Sequence, residues 1–220
     1  MASDFQDDAR EIEMRELFNL RKDDKEGRSG IDAVLDINDL TIDFELKTTA
    51  NGSVTTVRDF GPDHIKKWEN KHWLIGFYDD DGVMYYKYGS PKMMRAWIQE
   101  KAQYIQPDFA IVDLISNNLS LEDMYAVIGK KEKYTIDDAR ALHKRQYTVK
   151  KYKELQDDKP YYTPERMLDI FKDRTRYLIS RGSTLNNPHI PESYFSGWIE
   201  ITDDHAMELQ RMVKEALEEE

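Results

Sequence analysis

Gly30-Ile31-Asp32-Ala33-Val34-Leu35-Asp36-Ile37, then Asn38-Asp39, then Leu40-Thr41-Ile42-Asp43-Phe44-Glu45-Leu46-Lys47-Thr48-Thr49: this stretch decides the fold. Its side chains alternate with a period of two, as half-buried strands do. Ile42, Phe44 and Leu46 face one way; Asp43, Glu45 and Lys47 face the other. In the preceding run, Ile31, Ala33, Leu35 and Ile37 oppose Asp32, Val34 and Asp36. Asn38-Asp39 predicts a two-residue hairpin turn, because both residues tolerate positive φ, although Asn-Gly would signal it more strongly. That turn pairs Ile37 with Leu40 and, counting back, Asp32 with Glu45.

Directly opposed side chains share a face, with Cβ atoms roughly 4.5–5.5 Å apart. Two carboxylates that close repel unless a cation stands between them. Lys47 lies diagonally across on the same face, about 7–8 Å away by backbone. Hard cations such as Mg²⁺ choose carboxylate oxygens, keep several waters and complete their shell with substrate phosphate. A cation so held activates water and stabilises charge on a phosphoryl oxygen, and a nearby ammonium neutralises the transition state. Asp32 and Glu45 are therefore candidate metal ligands. Lys47 is the group that orients or activates the nucleophile, and the chemistry is phosphodiester hydrolysis. A solvated polar face on a two-stranded ribbon would show the same spacing, since 34% of the chain is charged. Asp36 and Asp43 read as solvated or supporting residues.

Gly-x-Asp-Ala-Val followed by Glu-Leu-Lys resembles the PD-(D/E)xK nuclease superfamily, and more narrowly the PvuII-type restriction endonucleases. Two further stretches carry the resemblance. Gly61-Pro62-Asp63-His64-Ile65-Lys66-Lys67-Trp68 and then Lys71-His72-Trp73-Leu74-Ile75-Gly76-Phe77-Tyr78 are similar to the family's proline-started helix and Trp-bearing strand. Asn186-Asn187-Pro188-His189-Ile190-Pro191 resembles its Asn-Asn-Pro-x-Ile-Pro segment. The similarity covers about 29–100 and 183–197. It implies a Mg²⁺-dependent, homodimeric enzyme that cuts double-stranded DNA at a short palindrome, with Asp32, Glu45 and Lys47 matching the catalytic acid, acid and lysine. The chain departs from the family in three places. Ser29 stands where the family has a glutamate, and the interval between the two acids is longer. Ser53-Val54-Thr55-Thr56-Val57-Arg58-Asp59 replaces a base-reading histidine cluster, so specificity does not carry over. The segment 105–182 has no counterpart.

With 220 residues the chain makes one domain, or one with a large insertion. It has no 18-residue apolar run and a polar start, so neither a membrane span nor a signal peptide is expected. The absence of cysteine excludes disulfides, thiol nucleophiles and thiolate zinc sites and fits a cytoplasmic protein. The net charge of −11 argues against nucleic acid only when read globally. Residues 1–26 hold nine acids against five Lys/Arg, and 199–220 hold eight against two. Residues 130–155 reverse the sign, with nine Lys/Arg against four acids, which suits a phosphate-facing segment. Within it Lys144 and Arg145 are candidate DNA contacts, with His143 beside them. Asn51, Thr55, Thr56, Arg58 and His64 are further candidates, because arginine reads guanine and hydroxyls meet bases or phosphates. His189 joins them because its segment matches the family. Surface strands and structural histidines are the plainer alternatives.

Along the chain, helices are expected at 4–22, 62–69, 91–104, 135–153, 163–181 and 203–217, with a short one from Leu119. Gly182 is the expected stop of the 163–181 helix. Apolar strands are expected at 73–78, 83–88 and 109–115, with a turn at Asp79-Asp80-Asp81-Gly82. The fold class is α/β: a restriction-endonuclease-like mixed central β-sheet flanked by helices, with an added helical subdomain. The expected divisions are 1–118 for the N-terminal helix and catalytic core, 119–182 for the helical insertion, and 183–220 for a segment returning to the core. Rival readings are a nicking or junction-resolving nuclease of the same superfamily and a non-catalytic DNA-binding protein on the same fold.

Overall fold

The computed structural model describes residues 2–22 and 31–219, with side chains from residue 8 onward. Gly30, Ser29 and most of the charged link from Lys22 lie outside the described residues. The hairpin forms in the expected register: β1 (Ala33–Ile37) runs antiparallel to β2 (Leu40–Thr49), with Ala33 opposite Phe44 and Ile37 opposite Leu40. Asn38 and Asp39 have φ of 47° and 65°. Both are left-handed, as the I′ turn demands.

β2 pairs in parallel with β4 (His72–Asp79), placing Glu45 beside Trp73 and Lys47 beside Ile75. β4 turns through Asp79-Asp80-Asp81-Gly82, where Asp79 Oδ1 accepts from the backbone N–H groups of Asp81 and Gly82, into antiparallel β5 (Gly82–Gly89). β7 (Glu200–Ile201) adds to β5. The result is a mixed α/β architecture whose five-stranded sheet has the order β1-β2-β4-β5-β7. A parallel β2–β4 neighbour needs a crossover. It is supplied by β3 (Val54–Thr55) and α2 (Pro62–Trp68).

Alternation in β2 divides the two faces of the sheet. Ile42, Phe44 and Leu46 join Met14 and Phe18 of α1 (Ala2–Leu17) and Leu209, Met212 and Val213 of α8 (His205–Glu218) in one buried cluster. The opposite face is aromatic. Trp68 of α2 meets Trp73 edge-on at 4.9 Å, and Phe60 and Trp97 stand 5.5 and 6.2 Å from the Trp68 ring. A second, two-stranded sheet joins β3 to β6 (His189–Ile190), pairing Val54 with Ile190 and Thr55 with His189.

The chain divides into two compact units, Met1–Gln103 with Leu185–Glu220, and Tyr104–Thr184. The boundary expected after residue 118 coincides with the end of α3 (Pro91–Asn118), whereas the first division falls inside that helix. The second unit is helical and has its own core of Met124, Tyr134, Tyr152, Tyr162, Met167 and Ile170. Its helices are α4 (Leu121–Ile128), α5 (Ile136–Leu142), α6 (Val149–Glu154) and α7 (Pro164–Ser183). Capping boxes at Ser120/Asp123 and Thr135/Asp138 start the first two of these.

Four sequence expectations are corrected. The apolar run 109–115 is not a strand but the second half of α3. Its buried residues, Ile105, Val112 and Ser116, recur at helical spacing, and a short apolar run does not distinguish strand from helix by periodicity. The 135–153 helix is broken, because Lys144 and Arg145 both adopt left-handed φ, 54° and 58°. Gly182 does not stop α7, which runs on to Ser183. The first helix ends at Leu17, and Arg21 already bridges to Val34.

Candidate active site

Asp32 lies in the bend just before β1, one step beyond the Ala33–Phe44 pair and so at the level of Glu45. Its Oδ2 accepts the Leu46 backbone N–H at 3.0 Å, and its carbonyl accepts from Arg15 at 3.3 Å. Lys47 Nζ stands 2.8 Å from Glu45 Oε1, 2.9 Å from the Leu46 carbonyl oxygen and 3.6 Å from Asp32 Oδ2. One ammonium is thus surrounded by three oxygens at the end of the hairpin. The structure brings together all three residues singled out from the sequence.

Glu45 is not on a solvated face. It is 3% exposed, under the aromatic layer, and its second oxygen is occupied too. Oε2 accepts from Trp68 Nε1 at 3.0 Å and from Lys71 Nζ at 2.9 Å. Burial alone would push the Glu45 carboxyl upward, but the Lys47 and Lys71 ammoniums outweigh it and hold it down to about 2. Burial likewise pulls Lys47 down, and Glu45 and Asp32 overturn that, raising it above the usual lysine range. Lys47 is a firm cation in this cluster. Glu11, from α1, reaches the same neighbourhood. Burial and then the Asp32 charge raise its carboxyl, and it pairs with Arg15 at 3.8 Å.

Lys71, Trp68 and Glu11 were not identified from the sequence. Trp68 stands in the expected 62–69 helix and Lys71 just before the expected strand at 73–78. Only the parallel β2–β4 register, with His72 beside Phe44, brings that lysine to Glu45. Asp36 lies outside the site, in an exposed pair with Arg21 at 2.6 Å and bonded by Thr41.

Among the described residues, no three His, Asp or Glu side chains form a group able to hold a metal. The donor chemistry nevertheless fits Mg²⁺, which needs few protein oxygens and keeps its waters. Glu45 Oε1, Asp32 Oδ2 and the Leu46 carbonyl already converge on a cationic group, the Lys47 ammonium.

The candidate DNA contacts fall into groups. Thr55 and His189 are cross-strand partners in the β3–β6 ribbon; both are exposed, and Thr55 Oγ1 lies 3.3 Å from His189 Nδ1. Thr56 is committed to the fold, donating to the Pro188 carbonyl at 2.6 Å. Asn51 accepts from Thr49 and Ser53 in the turn before the ribbon, and Arg58 is exposed after it. His64 is half-buried against Phe60, and burial lowers its pKa. Lys144 and Arg145 are exposed in the helical unit. His143 is a core residue, buried with its Nδ1 3.3 Å from Tyr152 Oη and its ring 4.2 Å from Tyr147.

No protein-family model and no curated protein matches the sequence. Among the described residues, no helix is long and apolar enough to cross a membrane.

Proposed function

We propose that the protein is a Mg²⁺-dependent endodeoxyribonuclease with a restriction-endonuclease-like fold, hydrolysing duplex DNA at a short palindrome. The observation that carries the reading is the Lys47 ammonium held among Asp32, Glu45 and the Leu46 carbonyl at the end of a strongly paired hairpin. The resemblance to PvuII-type enzymes adds a homodimer, whose twofold axis would mirror a palindromic site.

Asp32 and Glu45 would hold the cation, whose chemistry when bound would be to activate water and stabilise charge on the scissile phosphate. Water oxygen would add to phosphorus as one P–O ester bond breaks; the water's proton would pass to solvent, and the sugar oxygen would leave with the electron pair and take a proton from solvent water. Lys47, cationic in this cluster, neutralises the phosphoryl oxygens and orients the water rather than taking its proton. Trp68 and Lys71 fix the Glu45 carboxylate from behind. Thr55, His189 and Arg58 are accessible for base or phosphate contact, as is Asn51, with half-buried His64 nearby.

Lys47→Ala should lower Mg²⁺-dependent cleavage at least a thousandfold while DNA affinity, read by fluorescence anisotropy, changes only several-fold. Cleavage by Lys47→Ala at the parent rate would remove the site assignment. A second reading, a non-catalytic DNA-binding protein on this fold, draws on one observation: Glu45 is already saturated by two lysines and an indole. It predicts salt-sensitive DNA binding with no Mg²⁺-dependent hydrolysis.

A further inference from the structure

We propose that Lys71 makes cation occupancy of the site depend on bound DNA. The inference rests on reading Asp32, Glu45 and Lys47 as a divalent-cation site. Lys71 is 2% exposed, and its Nζ stands 2.9 Å from Glu45 Oε2, the oxygen opposite the one held by Lys47. Trp68 Nε1 donates to that same Oε2 at 3.0 Å. The indole alone satisfies and orients the oxygen, so what Lys71 adds is charge. A buried ammonium is costly to desolvate, and an uncharged pair of similar volume in place of both partners often serves stability equally well. The charge itself is therefore the feature to explain.

Asp32 and Glu45 contribute two negative charges, and Lys47 and Lys71 two positive ones. Glu11 and Arg15 beside them, 3.8 Å apart, cancel each other. These six groups sum to no net charge before a cation enters. Entry of a divalent cation alone leaves two positive charges in a largely buried place, which a low dielectric disfavours. A phosphodiester brings one negative charge to the same point, and its pentavalent transition state brings two. Charge balance is therefore best at the transition state, where binding accelerates reaction. Without the Lys71 charge the empty cluster is negative and draws a divalent cation whether or not DNA is present. Lys71 thus sets the site to fill with cation and substrate together and to stay empty otherwise.

The test is Mn²⁺ titration of the full-length protein, followed by electron paramagnetic resonance. It is run with and without a slowly cleaved phosphorothioate duplex, and a duplex-only titration is subtracted. The parent should bind Mn²⁺ weakly alone and at least tenfold more tightly with the duplex. Lys71→Gln keeps a donor for Oε2 and removes the charge. It should bind Mn²⁺ alone at least tenfold more tightly than the parent and gain less from the duplex, while Lys71→Arg should behave as the parent does. If the parent gains from the duplex and a folded Lys71→Gln follows it in both conditions, the inference falls and the cation site stands. Tight Mn²⁺ binding by the parent without duplex overturns the inference whether or not the variants fold. If the parent takes up no Mn²⁺ even with duplex, the cation site falls and the inference with it.

Discussion

Glu45 is the residue on which both the packing of the site and the proposed chemistry turn. Its carboxylate bridges two lysines and an indole beneath an aromatic layer, so removing it strands a buried ammonium. Glu45→Ala should therefore cost about 3–5 kcal/mol of stability, as breaking a buried pair does. Glu45→Gln, which can still bond Trp68 or Lys71, should cost clearly less. Urea unfolding of the two variants distinguishes them, and equal costs would contradict the pairing. His72, one residue after Lys71, is held neutral where Glu45 is held charged. Burial beside Phe44, with Nδ1 2.6 Å from Tyr88 Oη, depresses it to about 4. It is neutral in the folded protein, and the unfolded chain takes up the proton first. Its contribution is thus full above about pH 6.5 and is lost as pH falls towards 4, by roughly 3 kcal/mol at most. The loss of stability between pH 7 and 4.5 should be smaller in His72→Gln than in the parent. Identical losses would remove His72 from the account.

At the scale of elements, the β1–β2 hairpin was legible in the sequence because two local signals agree: alternation assigns the faces and Asn38-Asp39 fixes the register. The turn makes its own prediction. Asn38 has φ 47°, so Asn38→Val should cost about 1–2 kcal/mol through left-handed backbone alone. Asp39→Gly, at φ 65°, should not destabilise, and thermal unfolding of both variants checks this. Other elements were not legible, for identifiable reasons. The run Phe109–Ile115 carries enough apolar residues for either a strand or a helix, and what decides is burial of Ile105, Val112 and Ser116 on one side of α3. The break between α5 and α6 has no glycine or proline to announce it; two cations take left-handed backbone instead. Asp32, Glu45 and Lys47 could be grouped because one hairpin carries all three. Lys71 and Trp68 could not, because they reach Glu45 through a crossover whose register is set by packing.

At the scale of the whole molecule, the net charge of −11 conceals an uneven distribution. Some cations of the 130–155 segment are already paired, as in Lys131–Asp138 and Lys133–Asp158. Lys144 and Arg145 stay exposed at the α5–α6 turn. If they meet phosphates, replacing both with Gln should weaken DNA binding about equally across sequences and lower the slope of log affinity against log salt by roughly 1–2. An unchanged slope would assign that turn to the solvated surface. Whether the Asp32–Glu45–Lys47 cluster hydrolyses DNA with Mg²⁺ is decided by the ends it leaves. Unmethylated bacteriophage and plasmid DNA are incubated with parent protein or with folded Glu45→Gln, in Mg²⁺ or in chelator, and the resulting ends are sequenced. Discrete fragments sharing one short palindrome are expected from the parent in Mg²⁺ alone. Intact DNA with folded parent, or equal cleavage by Glu45→Gln, would contradict that expectation.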